Sequence, residues 1–227
     1  IVALRDKILT RIIGHPNIRT FTETKVTAIG KTGEKRYTVS GEATSVDQSF
    51  DWVINTSWQD INRIHTSSTV HKRTFTYRTK LYVSAQTELP SQAMTKVLGK
   101  FGDVVIFQSG RLYASDYGSG LTSYENSVVP KFIERENVPK ELAESHWEGI
   151  KRMFVSSIPG LSDIREMNTF ERSIVAEGDT DIDNYDSLLH QRRLSYVSQE
   201  GNMITGLATK LTAVPSCAMQ ISELIND

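Results

Sequence analysis

Apolar positions at the start of the chain follow the period of an α-helix. Leu4, Ile8 and Ile12 are spaced four residues apart, which places them on one face of a helix over residues 3–13. Gly14 follows, with a proline two residues later, and this combination is typical of a helix C-terminus. The sequence therefore predicts an amphipathic helix at this end of the chain.

Short runs rich in β-branched residues come after this helix and predict strands. The runs cover residues 18–22, 25–30 and 36–40, and a turn over residues 31–34 joins the last two as a hairpin. Residues 50–55, with the sequence FDWVIN, are mostly apolar. A run of this kind is typical of a strand that is buried on both faces in a parallel sheet.

The middle of the chain alternates between apolar and polar positions. Residues 72–116 contain three β-rich runs, TFTYRTKLYVSAQT, MTKVLGKFGDVVIFQ and RLYASDY. A two-residue turn at Ser109 and Gly110 fits between the last two runs, so an antiparallel meander is predicted. Helical spacing then takes over in residues 126–158.

The last part of the chain returns to strands and closes on a helix. Apolar residues recur at helical spacing over residues 212–225, and Pro215 is tolerated in the first turn of such a helix. The strand-like runs before it are residues 170–176, 193–198 and 203–207.

These elements predict a mixed α/β (α+β) fold. The two ends of the chain carry α/β elements, and an antiparallel sheet with helices lies between them. We therefore expect one domain made of residues 1–65 and 193–227, interrupted by a second domain of residues 66–192.

Composition and charge argue against several classes of protein, namely nucleic-acid-binding and membrane-spanning proteins. The 26 basic and 27 acidic side chains give a net charge of -1, without the basic run that binding to nucleic acid usually needs. No stretch is apolar enough to predict a membrane-spanning helix. Cys217 is the only cysteine and no signal segment opens the chain, so we expect a cytoplasmic protein. Because the first residue is Ile1, we also expect further protein sequence upstream.

Histidines and acidic residues do not have the spacing of a metal site. Asp179, Asp181 and Asp183 imitate a calcium loop, but Asn184 and His190 stand where that loop has its turn glycine and its closing glutamate. We expect no bound metal. A calcium-binding or carbohydrate-linked module would rest on this acidic run alone.

Two segments in the first third, HPNIRTFTETKVTAI and DWVINTSWQDINRI, carry a family resemblance. They resemble the second FAD-contacting strand and a later strand end of the D-amino-acid-oxidase-like FAD-dependent oxidoreductases. In that family the first segment lays its backbone against the adenine, and the second brings small residues to the dinucleotide. The cofactor-binding positions that the resemblance implies are Lys25, Val26, Asn55, Thr56, Ser57 and Trp58.

Two later segments extend the resemblance. VLGKFGDVVIFQSGRLYASDYGSG is similar to the substrate-domain meander of some bacterial members, and SLLHQRRLSYVSQEGNMITGLATKLTAVPSCAMQI is similar to the final strand, flavin-facing turn and C-terminal helix. Backbone N–H groups of that turn would face the flavin, and a lysine there would favour its reduced, anionic form. The implied positions are Ala208, Thr209, Lys210, Leu211 and Thr212.

Candidate substrate-binding residues come from two places. Tyr113, Ser115 and Tyr117 share one face of a predicted strand, and this face either lines a substrate cavity or packs against a helix. Arg192 and Arg193 offer a guanidinium group for a substrate carboxylate or, alternatively, have a surface role. Adjacent strand residues face opposite sides, so at most one of the two arginines binds substrate.

The resemblance implies a fragment of an FAD-dependent oxidoreductase. Such an enzyme passes a hydride from an amine- or hydroxyl-bearing small molecule to the flavin. The glycine-rich fingerprint G-x-G-x-x-G is not in these 227 residues, so a partial Rossmann-like FAD-binding domain, inactive without a missing N-terminal segment, is expected. The expected partners are that segment and the substrate, not nucleic acid or a membrane. The alternative is a flavin-free binding or structural α/β protein, which Thr56 and Thr209 favour.

Overall fold

A computed structural model describes most of the chain. No helix in the described part is long and apolar enough to cross a membrane. The described residues are 2–34, 36–42, 48–64, 73–97, 101–131, 135, 137–177, 184, 186, 195–208 and 213–226. The helices are α1 (Val2–Ile13), α2 (Tyr117–Gly120), α3 (Lys140–Phe154) and α4 (Val214–Asn226). The strands are β1 (Val26–Lys31), β2 (Tyr37–Gly41), β3 (Gln48–Phe50), β4 (Val53–Asn55), β5 (Phe75–Gln86), β6 (Gln92–Lys96), β7 (Gly102–Ile106), β8 (Arg111–Asp116), β9 (Leu121–Ser127), β10 (Met167–Glu177), β11 (Ser195–Glu200) and β12 (Met203–Ala208).

A six-stranded antiparallel sheet is the largest unit. Its strand order is β10-β5-β8-β7-β6, and β9 also pairs with β5. The long strand β5 pairs with β10 along its whole length on one edge, and with β9 and then β8 on the other. Helix α3 covers one face of this sheet, where apolar side chains alternate along the strands. The core on that face includes Val83, Val104, Leu112, Ile150 and Phe154.

Two three-stranded sheets complete the fold. The first has the order β1-β2-β3 and is antiparallel. The second has the order β11-β12-β4, and here β4 is parallel to β12, with Val53 opposite Met203 and Asn55 opposite Thr205. The predicted fold class is therefore confirmed as a mixed α/β fold with mostly antiparallel strands.

An apolar cluster joins the large sheet to the β11-β12-β4 sheet. Phe75 of β5 packs edge-on against Tyr196 of β11, with ring centroids 5.4 Å apart. Ile61, Val175 and Leu207 are buried in the same cluster. Because these residues come from distant parts of the chain, the cluster fixes the second sheet against the first.

The structure corrects several sequence predictions near the N-terminus. Residues 18–22 are not a strand, and Ile18 and Phe21 are exposed. The run FDWVIN is not one strand, because the chain bends at Asp51 and divides it between β3 and β4. Only the second part is in a parallel pair, as the sequence predicted for the whole run.

The middle of the chain also differs from the prediction. Residues 121–127 form β9, a strand that the sequence did not predict, and residues 128–131 are irregular although helical spacing was expected there. The predicted run MTKVLGKFGDVVIFQ contains two strands, β6 and β7, which pair with each other. The predicted turn between β7 and β8 is present, with Gly110 at a φ of 76°. However, β5 pairs with β8 and not with β6.

We expect the core under α3 to dominate the stability of the large sheet. Phe154 is 1% exposed, whereas its neighbour Val155 is 41% exposed. Phe154→Ala should lower the free energy of unfolding by about 3–5 kcal/mol, because it removes buried apolar surface and leaves a cavity. Val155→Ala should change it by less than about 0.5 kcal/mol. Chemical denaturation of both variants measures this difference, and equal losses would contradict the packing described.

Candidate functional site

A groove opens where the parallel strands β4 and β12 end. It has a volume of about 310 Å³. Both strands run toward it, so the chain leaves the sheet there on both sides, and α4 forms the remaining wall. In open α/β sheets, the carboxyl ends of parallel strands are the usual place for ligands. The groove is lined by Thr56, Trp58, Gly206, Leu207, Ala208, Val214, Cys217, Ala218 and Ile221.

Asn55 shapes the chain segment that enters the groove. Its side chain is 2% exposed, and its Nδ2 donates a hydrogen bond to the carbonyl oxygen of Ile61 over 2.8 Å. Its Oδ1 accepts hydrogen bonds from the backbone N–H and the hydroxyl group of Ser57, at 3.1 and 2.7 Å. Asn55 and Ser57 therefore hold the turn, and the exposed Thr56 lines the groove.

Trp58 connects the groove with the large sheet. Its φ is 57°, in the left-handed region that few non-glycine residues adopt. The indole packs against the cluster around Phe75 and Tyr196, and its Nε1 donates to the carbonyl oxygen of Ser173 in β10 over 3.3 Å. The left-handed backbone conformation of Trp58 therefore occurs at a residue whose indole is fixed by tertiary packing and by a hydrogen bond to β10.

Small residues let α4 approach β12 closely behind the groove. A Cβ on Gly206 would lie 2.9 Å from Cδ1 of Ile221 and 3.3 Å from Sγ of Cys217. Burial raises the pKa of the Cys217 thiol, which suits a neutral packing residue. The sequence analysis did not single out Gly206 or Ile221 as lining residues, although it predicted the helix that contains Ile221 from the spacing of its apolar residues.

Lys25 and Val26 are not among the residues that line this groove. Lys25 is exposed and its Nζ lies 2.9 Å from Oε1 of Glu42, whose hydrogen bond raises the pKa of Lys25. Val26 packs with Val53 and Met203, the first residues of β4 and β12, whereas the groove is at the other ends of these strands. Thr56, Trp58 and Ala208 are the predicted cofactor positions that the structure brings together.

Some predicted site residues lie outside the described residues. These are Thr209, Lys210, Leu211 and Thr212, the arginines Arg192 and Arg193, and the acidic residues Asp179, Asp181 and Asp183.

The predicted substrate residues of β8 lie on the sheet face opposite α3. Tyr113 is half-buried, and its ring stacks on Tyr82 of β5 with centroids 5.6 Å apart. Tyr82 also stacks on Phe170 of β10, at 5.8 Å. Tyr117 follows directly after β8 and lies over the end of Lys80. This side of the sheet therefore carries a row of aromatic rings, the last of which is Tyr117 at the start of α2.

Lys80 is buried in the middle of this aromatic face. It is 2% exposed, its Nζ donates to the Ser115 hydroxyl over 2.8 Å, and it lies 3.6 Å from the centroid of the Tyr117 ring. Burial lowers the pKa of Lys80 to about 8, and the charges of Asp103 and Asp116 oppose this shift in part. The sequence analysis missed Lys80, although the alternation of β5 places it on the face of Tyr82.

Ser119, Asp116 and His146 contact one another but do not form a nucleophile site. The Ser119 hydroxyl donates to Oδ2 of Asp116 over 2.7 Å and lies 3.0 Å from Nδ1 of His146. Burial lowers the pKa of His146 to about 4, so the ring is neutral at pH 7. A Cβ on Gly149 would lie 2.1 Å from the Ser119 hydroxyl oxygen, so the space around it is filled. The contacts join α2 to α3.

Several solved structures of oxidoreductases are similar to this chain in fold. Glycine oxidase from Geobacillus kaustophilus matches 92% of this chain with a TM-score of 0.60 and 10% identity. The dithionite-reduced L-α-glycerophosphate oxidase from Mycoplasma pneumoniae with FAD bound matches 99%, with a TM-score of 0.60 and 15% identity. The FAD complex of glycerol-3-phosphate dehydrogenase from Bacillus halodurans matches 90%, with a TM-score of 0.53 and 14% identity.

The chain has the fold of FAD-dependent oxidoreductases. The resemblance found in the sequence is thereby confirmed at the level of the fold. The chain spans only part of these proteins, namely 50% of the glycine oxidase, 56% of the glycerophosphate oxidase and 38% of the dehydrogenase. No family model and no curated protein matches the sequence.

Lys80 should reduce the stability of the folded chain at neutral pH. Its pKa is about 8 in the folded state and 10.5 in the reference state, so folding penalises the charged form. Lys80→Met should raise the free energy of unfolding at pH 7 by about 1–3 kcal/mol, after the loss of the Ser115 hydrogen bond is deducted. Lys96→Met, at an exposed position of β6, serves as the matched control with little effect.

The pH dependence of stability provides a second readout for Lys80. Between about pH 8 and 10.5 the unfolded chain keeps the proton that the folded chain has released. The stability of the wild-type chain should therefore rise with pH across this window, relative to that of Lys80→Met. Denaturant midpoints of both chains from pH 7 to about pH 10.5 test this, and parallel curves would show that Lys80 is not desolvated.

Proposed function

We propose that this chain is part of an FAD-dependent oxidoreductase that oxidises an amine- or hydroxyl-bearing small molecule. The observation that carries the proposal is the fold, which is shared over nearly the whole chain with three flavoenzymes of that kind. Bound FAD would accept a hydride from the C–H bond beside the amine or hydroxyl group. The residues of this chain would bind and orient the two reactants.

The groove at the ends of β4 and β12 is the proposed contact with FAD. Thr56, Trp58 and Ala208 line it, and Asn55 fixes the turn that presents Thr56. Small side chains and free space at the carboxyl ends of parallel strands suit a dinucleotide. In this proposal residues 209–212 contact the flavin, as the family resemblance implies, and Lys25 and the first residue of β1, Val26, support the adenine side.

In this proposal the two predicted domains have different roles, one in binding FAD and the other in binding the substrate. Residues 1–65 and 193–227 would belong to the FAD-binding domain, which the pairing of β4 with β12 supports because it joins both ends of the chain. Residues 66–192 would form the substrate domain, with Tyr113, Ser115 and Tyr117 on the sheet face opposite α3. Since Trp58 both lines the groove and bonds to β10, groove and sheet are adjacent, as substrate and flavin must be.

A cytoplasmic location belongs to the same proposal. Cys217 is the only cysteine, and it is buried with no partner for a disulfide, so the chain needs no oxidising compartment.

The test uses the whole protein in which these residues occur, with Thr56→Phe as the variant. The purified protein should carry FAD, visible as yellow flavin absorption and released on denaturation. Thr56 is exposed, so phenylalanine should fill the groove without unfolding the chain and weaken FAD binding by about tenfold or more, equivalent to about 1.4 kcal/mol. Thr95→Phe, at an exposed position of β6, is the control and should bind FAD as the wild type does.

Activity is measured on the same preparations. Amines, amino acids and alcohols are offered with an artificial electron acceptor, and flavin bleaching under anaerobic conditions reports hydride transfer. A folded whole protein that neither contains nor binds FAD would contradict the proposal and leave the flavin-free binding or structural protein as the alternative. FAD binding that Thr56→Phe leaves unchanged would contradict the placement of the groove.

A further inference from the structure

Two cationic side chains are buried side by side on the aromatic face of the large sheet. Arg78 and Lys80 are two residues apart in β5, so both point to the face of Tyr82, away from α3. Arg78 is 3% exposed and Lys80 is 2% exposed. Arginine and lysine are seldom buried to this extent unless they are paired.

Arg78 is not paired within the part of the chain that the structure describes. Its Nε and Nη1 atoms are buried and have no hydrogen-bond partner. The guanidinium carbon lies 5.7 Å from the centroid of the Tyr117 ring, which is its ring contact. A guanidinium group keeps its proton in proteins, so it cannot avoid the cost of burial by becoming neutral.

Lys80 has a neutral partner only. Its Nζ donates to the Ser115 hydroxyl and lies over the ring of Tyr117, and no carboxylate of the described chain is within ion-pair distance. The Ser115 hydroxyl in turn donates to Oδ2 of Asp103 over 3.4 Å, so this carboxylate contacts Ser115 and makes no direct ion pair with Lys80.

The other acidic groups near this face are already engaged. Asp116 accepts hydrogen bonds from the backbone N–H groups of Gly118 and Ser119, both at 2.9 Å, and from the Ser119 hydroxyl. Glu171 of β10 is bound by the side chain of Arg135 at 3.1 Å and by its backbone N–H at 2.8 Å. Neither acid therefore forms an ion pair with Arg78 or Lys80 in the described part of the chain.

We propose that Arg78 and Lys80 bind the anionic group, a carboxylate or a phosphate, of the small molecule on which this protein acts. The assignment of that molecule as substrate rests on the proposed function. The guanidinium fork matches two oxygens of such a group, and the ammonium group adds a second charge. The half-buried rings of Tyr82, Tyr113 and Tyr117 would enclose the rest of the molecule. This role was expected for Arg192 or Arg193, which lie outside the described residues.

The experiment measures anion binding on the 227-residue chain without FAD. Thermal unfolding is followed in potassium phosphate, sodium acetate and sodium chloride at equal ionic strength and pH 7. Phosphate or acetate should raise the unfolding midpoint above that in chloride, since a ligand that binds only the folded state stabilises it. A larger rise in phosphate indicates a phosphate-bearing ligand, and a larger rise in acetate a carboxylate.

Three variants separate binding from general salt effects. Arg78→Met and Lys80→Met should lose the anion-specific rise, while Arg111→Met should keep it. Arg111 is an exposed arginine on β8, on the same sheet face but at the other end of β5. Non-specific stabilisation by phosphate acts on all chains alike, so it cancels in this comparison. If Arg78→Met fails to fold, Lys80→Met still decides, because it removes a buried charge and should be stable.

The pH dependence gives an independent signature. With a pKa of about 8, Lys80 loses most of its charge between pH 7 and pH 9, so acetate affinity should fall by about tenfold in the wild type and stay flat in Lys80→Met. The titratable and charged groups around Lys80 are Arg78 of its own strand, Asp103 of β7, Asp116 at the end of β8, Arg172 of β10, the three tyrosines and His146 of α3, which is neutral at pH 7 because burial lowers its pKa to about 4. Burial raises the pKa of all three tyrosines, that of Tyr113 to about 12, so they keep their protons here.

The possible outcomes separate this site from the proposed function. An anion-specific rise that depends on Arg78 and Lys80 supports the site, whether or not the whole protein binds FAD. A rise that survives in both variants, or no difference between the three salts, overturns it even if the whole protein is a working flavoenzyme.

Discussion

The parallel pairing of β4 with β12 is the constraint on which the rest of the structure depends. It brings together two segments from opposite ends of the chain, and a hydrogen bond from Nδ2 of Asn202 to the carbonyl oxygen of Asp51 joins residues 151 positions apart. Parallel pairs cannot form through a tight turn, so everything between the two strands must fold as a crossover connection. The large antiparallel sheet is that connection. The groove exists because both strands end at the same edge.

The apolar cluster of Phe75, Tyr196, Ile61, Val175 and Leu207 turns this pairing into a fixed arrangement. These five residues come from β5, β10, β11, β12 and the turn after β4, and all are nearly or fully buried. A local sheet of three short strands would be marginal by itself. Packed against the large sheet, it gains a buried face, and the loop that carries Asn55, Thr56 and Trp58 is held between the two sheets.

The spacing of apolar and polar residues was sufficient to predict those helices and strands that depend mainly on their own sequence. The hairpin of β1 and β2, the strand β5 and the helices α3 and α4 follow the alternation or helical spacing of their sequences. Strand β9 was missed because LTSYENS has little apolar alternation, and it is a strand because half of one β5 edge is open for pairing. The bend at Asp51 was missed because its cause is tertiary: the two halves of FDWVIN pair with different partners, β2 and β12.

Some residues of the candidate sites could likewise be predicted from the sequence, and others could not. Thr56, Trp58 and Ala208 could be predicted from the family resemblance of their segments, and the structure brings them to one groove. Arg78 and Lys80 could not, since a cation at alternate positions of a strand is most often a solvated side chain. Only the fold shows that this face is buried.

Arg78 and Lys80 are notable because their burial costs stability. Replacing buried ions by apolar residues is often stabilising, so a chain that keeps two of them unpaired on one strand accepts a lower stability there. Such conflicts between local rules and the global fold tend to coincide with functional sites. The conflict in β5 lies on the sheet face that carries Tyr82, Tyr113 and Tyr117, and not in the core beneath α3. The cost of burial thus falls on the sheet face to which we assign the ligand.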